Sequence, residues 1–417
     1  MGDRLEASTL SFPRGFLWGA ATSPTQIEGH VQNEWTDFVA RDGSNCRISC
    51  DSYNRYREDI DWLKQLGVQS YRMGLEWSRL QSEPRGSLDG KALDRYFDQL
   101  DRLNEAGITP MVVLHHFSNP PWLNKTGGWT DRAAISLFLN YVSKLVKALQ
   151  GRVRLWNTFN EPDTYASCGY IIGQFPPLKR GRVDLFRKIV THMGQAHAKS
   201  CEIIREAECP QGEPEAGYSK NWTYFVPHGK GWPWDAALAG YIHSLLNAFV
   251  LEAFREAPAT FLGVNYYGRI RFHHLRPLVP TCGFSREELA SIGVSCDDML
   301  EHYPAGLETA LLELQQEYGL PLYLTEHGCA SDDEDFRGLD LKENLAALYR
   351  AMSLGAKVKG FYYWSLLDNF EWQFGYAKKF GLVHVDFSDE KRTRRMKPLG
   401  KVYSGICRHN VVPVGKC

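Results

Sequence analysis

Arg154-Leu155-Trp156-Asn157-Thr158-Phe159-Asn160-Glu161-Pro162 reads as a short buried strand that stops on a polar pair. Leu155, Trp156, Thr158 and Phe159 suit a strand interior, and Pro162, with no N–H to offer a ladder, ends it. A carboxylate at the end of an apolar strand is costly unless paired or solvated. In barrel enzymes the carboxyl end of a strand is where catalytic side chains sit. The plain alternative is that Glu161 only caps the following helix. A second stretch has the same grammar: Pro321-Leu322-Tyr323-Leu324-Thr325-Glu326-His327-Gly328 is an apolar run that ends on Glu326 and is broken by Gly328. Two carboxyl groups at two strand ends suit paired acid/base and nucleophile chemistry, and glycoside hydrolysis is the reaction most often built that way.

Working outward, strands are expected over residues 12–23, 70–77 and 109–117, the Glu161 stretch, 215–224, 260–267, the Glu326 stretch and 358–367. Amphipathic helices alternate with them over 51–66, 88–106, 131–149, 187–207, 236–255, 307–318 and 341–354, with Asp51 as a cap for the first and Gly67 as its stop. Residues 228–235 read as a loop and 269–299 as a long irregular excursion. Eight buried strands alternating with helices are parallel-sheet grammar, and that count favours a closed (β/α)8 TIM barrel forming one catalytic domain over residues 1–417. In that register Gln26, Arg72, His116, Asn160, Glu161, Asn265, Tyr267, Glu326 and Trp364 collect at the carboxyl ends of the strands. No glycine-rich phosphate loop opens a helix, which weakens a dinucleotide-binding reading.

Composition narrows the partners. Lysine and arginine number 48 against 49 acidic residues, which argues against nucleic acid or an anionic membrane. The 12 Trp, 20 Tyr and 21 Phe suit a large core and also stacking on sugar rings. The ten cysteines show no metal-ligand spacing, so no metal and no cofactor are expected. Residues 1–10 lack a signal-peptide pattern and no run reads as long enough to span a membrane, so free thiols in a reducing cytoplasm are expected.

Five motifs in order then carry a resemblance. They are Gly19-Ala20-Ala21-Thr22-Ser23-Pro24-Thr25-Gln26-Ile27-Glu28-Gly29, Asn157-Thr158-Phe159-Asn160-Glu161-Pro162, Gly263-Val264-Asn265-Tyr266-Tyr267, Thr325-Glu326-His327-Gly328 and Trp364-Ser365-Leu366-Leu367-Asp368-Asn369-Phe370-Glu371-Trp372. Together they resemble glycoside hydrolase family 1, the β-glucosidase and β-glycosidase family, from about Phe12 to about Tyr403. The resemblance implies Glu161 as general acid/base and Glu326 as nucleophile, with Arg72 and Tyr267 supporting Glu326. It implies Asn160 on the sugar 2-OH, and Gln26, His116, Asn265 and Glu371 among the sugar binders. Trp364 and Trp372 would be the stacking platform and upper wall. The plain alternatives are a structural barrel arginine at 72, a core histidine at 116 and simple packing at Trp372.

The chain departs from the family pattern in places. His327 stands where the family usually has Asn, Thr25 where it often has Tyr, and Ser118-Asn119-Pro120-Pro121 where Asp-Leu-Pro is common. The phospho-glycosidase branch replaces the acid at Glu371 by Ser and uses a Lys and a Tyr further on; here Glu371 stays and Lys378-Lys379 precedes Phe380. Thioglucosidases of the family lose the acid/base, and Glu161 is present. The leading expectation is a retaining exo-β-glycosidase on β-glucosides, with β-galactosides and β-fucosides also accepted. The alternatives are a transglycosidase using the same glutamates on a sugar or lipid-glycoside acceptor, and a non-catalytic sugar-binding protein on the same barrel.

Overall fold

The computed structural model describes residues 8–227, 233–272, 286–290, 295–297 and 299–414. Eight strands close into a barrel in chain order. They are β1 (Leu17–Ala21), β2 (Ser70–Gly74), β3 (Thr109–Val113), β4 (Leu155–Asn160), β5 (Glu215–Asn221), β6 (Leu262–Asn265), β7 (Leu322–His327) and β8 (Val358–Trp364). Every neighbouring pair is parallel, and β8 closes on β1 from Gly360↔Leu17 to Trp364↔Ala21. Every residue of β4 and β7 is buried, as an all-parallel sheet covered by helices requires.

The outer layer consists of α1 (Ser52–Leu66), α2 (Gly90–Glu105), α3 (Ala133–Ala148), α4 (Val183–Arg205), α5 (Pro233–His243), α6 (Pro304–Tyr318), α7 (Glu334–Ser353) and α8 (Pro398–His409). Gly67 ends α1 in the left-handed conformation, φ +73°, with its N–H on Leu63 O. Asp51 holds the N-cap position of α1 but makes no side-chain cap bond; its carboxylate is taken by Asn54 and His30 instead. Asp89 does cap α2, accepting from Ala92 N. The termini are tied by an antiparallel pair, Ser8–Ser11 with Val411–Val414.

Three sequence expectations change. The fifth strand stops at Asn221, and Tyr224–Pro227 instead pairs parallel with Arg269–Phe272, so the start of the expected 269–299 excursion is strand. Much of that excursion, and residues 228–232 of the expected loop, lie outside the described residues. Helix α7 begins seven residues before the expected 341: Asp333 caps it by accepting from Asp335 N and Phe336 N, with Glu334 and Asp335 in the first turn. Negative charge favours a helix N-terminus, so an acidic run that reads as loop is in fact a start signal. Pro233–Phe254, which spans α5 and its continuation, is long and apolar enough on length and composition to cross a membrane, contrary to the expectation of no such run. Here its Ala239, Ile242, Leu245, Val250, Leu251 and Phe254 are buried in the fold, which accounts for the apolarity by packing. No disulfide joins any described cysteine; Cys282 and Cys417 lie outside the described residues.

Candidate active site

A cavity of about 220 Å³ opens among the carboxyl ends of the strands. His116, Asn160, Glu161, Tyr267, Glu326 and Trp364, expected at those ends, line it, as do Glu371 and Trp372. Arg72, Gln26 and Asn265 are fully buried behind its wall.

Glu161 follows the last residue of β4 with φ +41°. This left-handed backbone is uncommon for a residue with a side chain and is tolerated where surrounding structure over-determines it. Glu161 sits at the N-cap of the short helix Pro162–Ala166 yet makes no side-chain cap bond, so the plain capping alternative fails. Its Oε1 accepts from Asn265 Nδ2 at 2.7 Å. Burial pushes this carboxyl up, and the charges of Glu326 and Asp163 push it further, to about 8.

Glu326 is held differently. Arg72 Nη1 donates to its Oε1 at 2.5 Å, and Tyr267 O–H donates to its Oε2 at 2.7 Å. Burial raises this carboxyl too, while Arg72 and Tyr267 oppose the rise. Charge-assisted donors on both oxygens favour the carboxylate, whereas anionic neighbours favour a proton on Glu161.

Supporting bonds come from other strands. Arg72 Nη2 donates to Asn160 Oδ1 at 2.5 Å and to Ser219 Oγ at 3.1 Å. Asn160 Nδ2 donates to His116 Nε2 at 3.0 Å, which leaves the His116 proton on Nδ1. Nδ1 is buried with no partner among the described residues, while burial holds the ring neutral, well below the usual histidine range. The His116 ring lies near-parallel to Trp364 and Trp372, with centroids 5.8 and 6.0 Å away. A neutral donor between two indoles, with no acceptor of its own, suits a sugar hydroxyl better than a core histidine. His115 Nδ1 also lacks a partner among the described residues, but His115 does not line the cavity: its Nε2 faces Asn119 Oδ1 within an aromatic cage of Trp129, Phe159 and Tyr165.

Two expected sugar binders are bonded within the protein. Gln26 Oε1 accepts from Ser23, and its amide is directed at Asn369 Oδ1, Phe370 O and Glu371 Oε2. Asn265 donates to Asn160 and Glu161 and accepts from Thr325 Oγ1 at 2.6 Å, so it positions Glu161. Burial and the Glu326 charge push Glu371 up to about 8.

Residues that sequence reading passed over complete the site. Ser219 on β5 and Thr325 on β7 both need the missing side chain of Gly263: a Cβ there would lie 2.6 Å from Ser219 Oγ and 2.9 Å from Thr325 Oγ1. Asp163, beside Glu161, pairs with the fully buried Lys220 at 3.0 Å. The only sequence signal for Thr325 was membership of a motif already quoted; Asp163 lies one residue past a quoted motif, and Ser219 and Lys220 gave no signal. The departures at Thr25 and Ser118 converge, since both hydroxyls donate to the buried Glu76 carboxylate. Among the described residues no cluster of His, Cys, Asp or Glu is arranged to hold a metal ion.

A closed parallel barrel presenting two buried, oppositely supported carboxyl groups in one aromatic-walled cavity defines a barrel glycosidase. The family model of glycosyl hydrolase family 1 matches residues 8–256 and 251–412. Beta-glucosidase A of Thermotoga maritima is 32% identical, the match covering 96% of this chain and 98% of the relative. A bifunctional beta-D-glucosidase/beta-D-fucosidase of Bifidobacterium breve is 29% identical over 93% of the chain and 96% of the relative. The family 1 β-glucosidase of Thermotoga maritima solved with isofagomine lactam superposes with a TM-score of 0.84 at 29% identity, covering 97% of this chain and 100% of that one. The chain belongs to glycosyl hydrolase family 1. It is a glycoside hydrolase acting on O-glycosidic bonds with retention of configuration.

Proposed function

We propose that the whole chain acts as one catalytic barrel that removes terminal β-D-glucosyl residues, with β-galactosides and β-fucosides also accepted. In this reading Glu326 attacks the anomeric carbon while Glu161 donates its proton to the leaving oxygen. The resulting glycosyl-enzyme is then hydrolysed by a water that Glu161, now a carboxylate, deprotonates. The observation that carries the reading is the unequal support of the two carboxyl groups: a guanidinium and a phenol on Glu326, an amide and two anionic neighbours on Glu161. His116, Trp364, Trp372 and Glu371 enclose the glycone, Asn160 offers an amide hydrogen to the 2-OH, and Gln26 acts through Glu371.

The aglycone side is apolar. Phe225, Ile242, Leu246 and Ile270 line the same cavity, which supports aryl or alkyl aglycones over a second sugar. A 6-phosphate finds no support: among the described residues no lysine or arginine lines the cavity, while the Glu326 carboxylate does. A relative that is a 6-phospho-beta-galactosidase is 29% identical, so this point needs its own arm in the test. The experiment is kcat/KM for aryl β-glucoside, β-galactoside, β-fucoside, 6-phospho-β-glucoside and cellobiose. The aryl glucoside is expected to lead and the phosphorylated sugar to be ignored. A preference for the phosphorylated sugar would end this reading, and a preference for cellobiose would end its aglycone part.

A further inference from the structure

His327, directly after Glu326, does not face the cavity. Its ring is buried on the other side of β7, against Phe361. His327 Nδ1 lies 2.8 Å from the carbonyl of Tyr266. A carbonyl only accepts, so Nδ1 carries a proton and donates it. His327 Nε2 lies 3.0 Å from Asp340 Oδ2 on α7, within ion-pair reach but off the line of a good ring N–H bond. Asp340 Oδ1 is taken by His302 Nδ1 at 2.7 Å, and His302 Nε2 lies 2.7 Å from Glu343. Asn344 Nδ2 also donates to Asp340 Oδ1, at 3.1 Å. Burial alone would raise Asp340, but His327 and His302 hold it down to about 2; burial would lower His302, but Asp340 and Glu343 raise it to about 8. These side chains are engaged with one another rather than with the cavity.

The clamped peptide is the informative part. Tyr266 N donates to Glu326 O at 3.0 Å, so β7 grips the Tyr266 residue at both its N–H and its C=O. Asn265 and Tyr267 flank it. Asn265 donates to Glu161 at 2.7 Å and Tyr267 donates to Glu326 at 2.7 Å. The placement of both donors therefore depends on where the Tyr266 peptide sits.

We propose that His327 is a positioning residue for both glutamates: its Nδ1–H holds the Tyr266 carbonyl so that Asn265 and Tyr267 meet Glu161 and Glu326, and Asp340 holds the ring in that orientation. This rests on the reading that these glutamates carry the chemistry. It accounts for a histidine where the family pattern usually has Asn: an Asn amide sits on its side chain where Nδ1 sits on His and can donate to the same carbonyl, but it cannot reach Asp340.

The test compares His327→Asn with His327→Leu in the full chain, on an aryl β-glucoside, with Tm measured alongside. His327→Asn is expected to keep kcat/KM within roughly threefold, because the clamp is rebuilt, while His327→Leu loses on the order of 30-fold, mainly in kcat. A double-mutant cycle with Tyr267→Phe supplies the readout that mere destabilisation would not move. The Tyr267→Phe loss should shrink by about fivefold or more in the His327→Leu background, because the phenol there is already misplaced. If His327→Leu does not fold, Asp340→Asn, which keeps the ring but frees its orientation, takes its place in the cycle. Additive losses, or His327→Asn falling as far as His327→Leu at unchanged Tm, overturn the proposal. The reading beneath it is checked separately by azide rescue of Glu326→Gly in an otherwise unaltered chain: failed rescue removes that reading, whereas additivity with intact rescue removes only the role of His327.

Discussion

Glu161 and Glu326 end two strands of one barrel and share one cavity, yet they are built as opposites. Glu326 meets a guanidinium from β2 and a phenol from just past β6, each on a different oxygen. Glu161 meets one amide from β6 and has Glu326 and Asp163 as anionic neighbours. Burial raises both, so burial does not distinguish them. The difference comes from which neighbouring strands contribute cations, phenols or anions, and β6 serves both sides at once through Asn265 and Tyr267.

The largest effect should come from removing the supported carboxylate. Glu326→Gly should lose on the order of 10⁵-fold in kcat on every substrate. Azide should restore turnover and give the α-glycosyl azide, because the azide takes the nucleophile's face. Glu161→Ala rescued by azide should instead give the β-azide by way of the covalent intermediate. NMR of the products decides this, and the same anomer from both variants would break the contrast.

Next in size, Glu161→Ala should lose roughly 10³–10⁴-fold on poor leaving groups, which need its proton, and far less in the first step on dinitrophenyl glycosides. The wild-type kcat/KM should fall as pH rises through about 8, because Glu161 is pushed up to that value and works protonated. That alkaline limb should vanish in Glu161→Ala on an activated substrate; a limb that persists unchanged belongs to another group.

Arg72→Met should cost roughly 10²–10³-fold. Arg72 lowers Glu326 against burial, so its removal lets that carboxyl rise, and the acid limb of kcat/KM should move to higher pH. A limb that stays in place or moves down would show that Arg72 does not hold the Glu326 charge.

The smallest expected change is the most specific to Glu161. Asp163→Asn removes an anion that raises Glu161, so the alkaline limb should move to lower pH by about one unit, with the acid limb unmoved. The Lys220 charge left behind acts in the same direction. A shift upward would break the assignment of Asp163 as a neighbour that favours the proton.

Much of this was legible in the chain. The barrel followed from eight apolar runs alternating with amphipathic ones, and Glu161 and Glu326 stood out because each interrupts a buried strand at its end. What was not legible lies in contacts across strands. Ser219 looks like any strand serine until Arg72 is beside it. The bonds that join Gln26 to Ser23, Asn369, Phe370 and Glu371 link residues up to 345 positions apart and have no signal in the chain. Asp340 fell outside the expected start of α7, because its acidic first turn reads as loop, and so its partnership with His327 could not be seen.

The sequence by itself determined the strand and helix order, the barrel and the two residues that end β4 and β7. These depend on periodicity, turn residues and motif order, which act over a few residues. Only the tertiary structure decided which donors and anions surround each carboxyl, that Gln26 and Asn265 are bonded behind the wall of the cavity, and that His327 donates to the carbonyl of Tyr266, between the two donor residues. Those properties depend on burial and on charges brought within a few ångströms from far along the chain. Arg72 is 254 residues from Glu326 and touches it only because β2 and β7 close into the same ring.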